Sequence, residues 1–91
     1  MKATIGRIVH YTLSEENAKQ INRQAGAGNS HYAGTVVPAI VVWPHDNEPQ
    51  TFNGQAFLDG NDTLWLTSVP YDDSGKPGTW QWPAMTSELK V

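Results

Sequence analysis

The feature that most limits what this chain can become is a hairpin signal at its centre. Asp59-Gly60-Asn61-Asp62 separates two runs whose side chains alternate in character. Asp-Gly between apolar runs favours a tight antiparallel turn, because Gly and Asn tolerate the positive φ that primed turns require. In the first run Phe52, Ala56 and Leu58 share one face, opposite Asn53, Gln55, Phe57 and Asp59. In the second, Trp65, Thr67 and Val69 oppose Leu64, Leu66 and Ser68. Side chains of successive strand residues point to opposite faces, so the second run is partly apolar on both. That predicts a strand covered on both sides, as in a small closed barrel. Past Tyr71, the turn-rich loop 72–78 leads to Trp80 and Trp82, which share a parity, and Pro83 ends the pairing.

The residues before the hairpin supply two more strands and a helix. Residues 5–13 predict a strand with Ile5, Arg7, Val9, Tyr11 and Leu13 on one face and Gly6, Ile8, His10 and Thr12 on the other. Ser14 is an N-cap candidate, Glu15 and Glu16 suit the positive end of a helix, and Leu13 and Ala18 have hydrophobic-staple spacing. A helix is therefore predicted over 14–25, with Gly26 as its terminator. Residues 26–35 predict a flexible loop rich in glycine. Residues 36–43 are the most apolar run and predict a buried strand, whose Pro38 demands an edge or a bulge at its start. Residues 84–91 predict a fraying tail.

The expected architecture is one domain over residues 1–91. It is an all-β, SH3-like, five-stranded antiparallel barrel with one short helix inserted after the first strand. The alternative is an open curved sheet with the helix across one face. Composition narrows function. With six Lys and Arg against nine Asp and Glu the formal charge is −3, and no basic stripe suited to long DNA or RNA is visible. No run approaches the ~20 apolar residues of a membrane span. The absence of cysteine removes disulfides and thiolate metal sites. His10, His31 and His45 lack metal-ligand spacing, and Asp59, Asn61 and Asp62 fall short of a calcium loop. No metal or cofactor is expected.

A surplus of aromatic residues beside a few cations points to binding. Trp43, Trp65, Tyr71, Trp80 and Trp82 can furnish a stacking surface, although a barrel this small also needs indoles to close it. Arg7, on the predicted face of Tyr11, can meet a phosphate or carboxylate while a ring stacks beside it; the plain alternative is an arginine lying across the barrel surface. Arg23 is a second candidate cation, and His31 and Tyr32 are what the glycine-rich loop can offer a ligand. The expected ligand-binding set is Arg7, Tyr11, Arg23, His31, Tyr32, Trp80 and Trp82. No nucleophile elbow or catalytic acid pair is marked; the enzymatic alternative is a nucleotide-cleaving activity with His10 or His31 as base.

Several phrases carry a resemblance. GRIVHY near the start, VVPAIVVW, FLDGNDTLW, TSV and the closing GTWQWP resemble a widespread family of short phage and prophage proteins of unassigned function. The resemblance covers nearly the whole chain and implies a phage setting and the host cytoplasm. Small phage accessory proteins include decoration modules and inhibitors of host defence, among them sponges for nucleotide immune signals. The expectation is a non-enzymatic, homo-oligomeric protein that sequesters a small anionic, nucleotide-like ligand. A structural or protein-interaction module is the alternative, and a small nucleotide-cleaving enzyme the third.

Overall fold

A computed structural model describes residues 2–23, 32–60 and 62–83. The elements run β1 (Ile8–Thr12), α1 (Glu15–Arg23), β2 (Val36–Pro44), β3 (Thr51–Phe57), β4 (Thr63–Pro70) and β5 (Trp80–Gln81). They form one antiparallel sheet of order β4-β3-β2-β1-β5. β2, β3 and β4 make the meander, and β5 returns to pair with β1. The sheet curls into a half-barrel, giving the small barrel-like all-β fold expected from the sequence. Closure comes from Trp80, which forms an isolated parallel bridge with Tyr71 just beyond β4, while Asp72 N–H donates to the Trp80 carbonyl at 3.1 Å.

The hollow of the half-barrel holds the core. Val9, Tyr11, Leu13, Val41, Phe52, Ala56, Leu64, Leu66 and Trp80 all pack there, joined by Ile21 from the helix. Curvature has a local origin at Asn53 and Gly54 of β3. On one side β2 inserts an extra residue between Val41 and Trp43; on the other β4 inserts one opposite Asn53. Paired bulges increase twist and bend the sheet. Gly54 lies where the bend is tightest: a Cβ there would collide with the Ile40 carbonyl oxygen and lie 2.7 Å from the Phe52 ring. Ser68, in the β4 bulge, has a φ of 50°, and its N–H donates to Asn53 Oδ1 at 2.8 Å.

Helix α1 starts as its sequence demands. Asn17 N–H donates to Ser14 Oγ at 3.0 Å and Ser14 N–H donates to Asn17 Oδ1 at 2.9 Å. This is a reciprocal capping box with Asn in the position usually held by Glu or Gln. The Tyr11 hydroxyl also donates to Asn17 Oδ1, at 2.6 Å, tying the first turn to β1. The predicted extension to residue 25, the Gly26 terminator, most of the 26–35 loop and the 84–91 tail lie outside the described residues.

Three expectations need correction. First, β1 begins at Ile8 instead of residue 5, because Gly6 adopts a φ of 88° and Arg7 N–H turns back to the Thr4 carbonyl at 3.1 Å. That turn removes Arg7 from the face of Tyr11: Arg7 is exposed and Tyr11 is core. Second, parity fails in β4. The bulge adds a residue before Val69, so Val69 joins Leu64 and Leu66 inside while Trp65 stands in solvent. Third, β2 is not buried on both faces; Val36, Val42 and Trp43 are exposed, since among the described residues only the concave face is packed. Pro38 behaves as expected: β3 pairs with β2 only from Ala39 onward, which leaves Pro38 with β1 alone beside it.

Candidate functional site

The closing aromatic residues also build a cleft. Trp80 sits at its base, edge-to-face with Phe52 at 5.6 Å, with Tyr71 at 4.9 Å and with Trp82 at 5.4 Å between ring centroids. Its indole N–H donates to the Gln50 carbonyl at 2.9 Å, so this buried polar atom is satisfied. Trp80 is only 1% exposed, whereas Tyr71 and Trp82 are half-buried and present ring surface. Together with Lys2, Glu48, Pro49 and Gln50 these three rings line a cleft of about 330 Å³. That is at the lower end of the size of small-molecule sites.

One loop and one terminal segment complete the walls, and Gln50 locks them together. Its buried side-chain amide accepts from Ala3 N–H at 2.9 Å and donates to the carbonyls of Ala3 at 3.0 Å and His45 at 3.2 Å. The N-terminal segment is thereby paired as if to a short strand, which brings Lys2 to the rim. The 45–51 loop is held by His45 Nδ1 and Thr51 Oγ1 at 2.6 Å and by Thr51 N–H donating to Asn47 Oδ1 at 3.0 Å.

Charge in and beside the cleft is mixed. The Arg7 guanidinium lies over the Trp82 ring, 4.9 Å from its centroid, within the range of a cation–π contact. Lys2 is bonded and ion-paired to Asp46. That hydrogen bond raises the Lys2 pKa and lowers that of Asp46, and Glu48 adds a smaller pull on Lys2. An incoming anion thus meets one cation held on an aromatic ring and a second already engaged by a carboxylate.

Of the residues expected to bind, Trp80 and Trp82 line the cleft, with Trp80 as floor, and Arg7 reaches it only through its contact with the Trp82 ring. Tyr11 packs in the core at 3% exposure, and burial pushes its phenol above the ordinary value of 10.0. Tyr32 is exposed but does not line the cleft. Arg23 closes helix α1, and His31 lies outside the described residues. Reasoning from strand parity overlooked Lys2, Glu48, Pro49 and Gln50. The Pro-Gln pair ahead of a strand was their one visible signal, and nothing local reveals that it receives the N-terminus. Among the described residues no three His, Asp or Glu side chains gather, and no helix is long and apolar enough to cross a membrane. No family model, curated protein or solved structure matches this chain.

Proposed function

We propose that this protein is a non-enzymatic binder of a small anionic ligand bearing a planar ring, a nucleotide-like molecule, held in the aromatic cleft. The observation that carries the reading is the Arg7 guanidinium over Trp82, a ring that itself lines the cleft with Trp80 and Tyr71. A guanidinium pairs with phosphate through a planar fork of donors, and stacking on an aromatic ring is worth ~1–3 kcal/mol per base. Had all four tryptophans been sealed in the core, with no cation beside a hollow, this reading would fall. The resemblance to short phage proteins supplies the setting: a homo-oligomeric sponge for a nucleotide signal of the host's defences, acting in the host cytoplasm.

A second reading, a protein-interaction module, is favoured by Trp43 and Trp65, which are 63% and 53% exposed and far larger than a solvated strand face requires. One experiment separates the possibilities. The purified protein is incubated with a panel of linear and cyclic nucleotides, the free ligand is measured, and the protein is then heat-denatured to release what it holds. Depletion followed by recovery of intact ligand supports sequestration. Altered ligand indicates the nucleotide-cleaving enzyme instead, and no depletion across the panel favours the protein-partner reading.

A further inference from the structure

Stacking on aromatic rings holds any base, since every base presents a π-face. The choice among bases therefore falls to the charged and amide groups that line the cleft and remain open to a ligand. Most are already engaged. The Gln50 side-chain amide is bonded to Ala3 and His45, and the Gln50 carbonyl accepts the Trp80 indole N–H. The Lys2 ammonium is held by Asp46. Glu48 differs. It is exposed on the loop before β3 and lines the cleft, and among the described residues its carboxylate has no hydrogen bond and no ion pair.

An ionised carboxylate accepts and never donates. It is matched best by two parallel donors, as it is by a guanidinium fork. Of the common bases, guanine alone offers that pattern, with N1–H and the 2-amino group side by side on one edge. Adenine and cytosine each set an acceptor nitrogen beside the amino group. Uracil flanks its single N–H with two carbonyls. A carboxylate repels those acceptors, so it favours guanine and disfavours the rest.

We propose that the cleft selects guanine and that Glu48 sets the choice, an inference that rests on the reading of this cleft as a nucleotide site. The base lies against the Tyr71 and Trp82 rings, and its N1–H and 2-amino group donate to the Glu48 carboxylate. The phosphate lies towards Arg7, on the far face of the Trp82 contact.

The test is calorimetric titration of the whole chain with the 5′-monophosphates of guanosine, inosine, adenosine and 2′-deoxyguanosine, repeated on Glu48→Gln. The cleft of about 330 Å³ is at the lower end of small-molecule sites, which makes a mononucleotide a suitable probe. Guanosine monophosphate is expected to bind at least about tenfold tighter than the adenosine form, as a bidentate pair discriminates. The inosine form keeps N1–H but lacks the 2-amino group, and should fall between them. The deoxy form should match guanosine monophosphate, because the contact is to the base. Glu48→Gln keeps the shape but offers one acceptor and one donor, so the preference should shrink to about twofold or less. An unchanged melting temperature shows that this variant is folded, and Glu48→Ala gives a second reading of the same loss. Equal wild-type affinity for guanosine and adenosine monophosphates, both weakened by Trp82→Ala, overturns the proposal and leaves the cleft reading standing. A guanine preference that Glu48→Gln retains overturns it too. So does weak binding of the deoxy form alone, which would assign the carboxylate to the ribose hydroxyls. Failure of all four to bind overturns the proposal and the cleft reading together.

Discussion

Tyr11 shows how one side chain can serve two elements. Its ring fills the core while its hydroxyl donates to Asn17 Oδ1, the same atom that accepts the Ser14 N–H of the capping box. Tyr11→Phe keeps the packing and removes that bond, so a loss of about 1 kcal/mol is expected in urea denaturation. The pH dependence has a definite sign. Burial raises the folded phenol above 10.0, so the unfolded chain ionises first. The contribution is whole below pH 10 and is lost as pH climbs through the raised value. The wild type should therefore lose stability in alkali more steeply than Tyr11→Phe. Gly54 has a stricter demand, set by backbone. Gly54→Ala would drive a methyl group into the Ile40 carbonyl, and a cost of about 3 kcal/mol or more is expected, read as a lowered melting temperature.

At the scale of elements, the capped helix and the succession of strands along the chain were legible in the sequence because their signals are local. The last pairing was not: β5 pairs with β1 and does not extend the antiparallel meander that the short connections after Trp43 suggested. Ser14, Glu15 and Glu16 mark a helix start, and Ser14→Ala should cost about 1 kcal/mol, measured by denaturant unfolding of the whole domain. Asp59-Gly60 marked its hairpin, where Leu58 N–H donates to the Asp62 carbonyl at 3.2 Å. What parity could not anticipate were the irregularities. An inserted residue in β4 turned Val69 inward and left Trp65 in solvent, and the positive φ at Gly6 swung Arg7 away from Tyr11. Counting by twos holds only while the ladder is regular. Both bulges lie opposite Asn53 and Gly54, so a glycine within an otherwise clear strand pattern was the one available hint.

Across the whole molecule, the cleft belongs to no single element. Lys2 comes from the amino-terminal segment, Glu48 to Gln50 from the loop before β3, Tyr71 from just beyond β4, and Trp80 and Trp82 from the closing strand and the residue after it. The closing Trp-Gln-Trp phrase announced its floor; the walls depend on Gln50 reaching a segment 47 positions away, which no local pattern encodes. Electrostatics makes the site adjustable. Asp46 competes for Lys2, so Asp46→Asn should free the ammonium and tighten an anionic ligand several-fold at low salt, by calorimetric titration. The measurement that reaches the central claim most directly is a titration of the nucleotide panel against the wild type and the Trp82→Ala and Arg7→Ala variants, followed by tryptophan fluorescence. The account predicts saturable binding to the wild type that weakens at least about tenfold in each variant while the fold persists. Saturable binding that both variants retain at full affinity would contradict it.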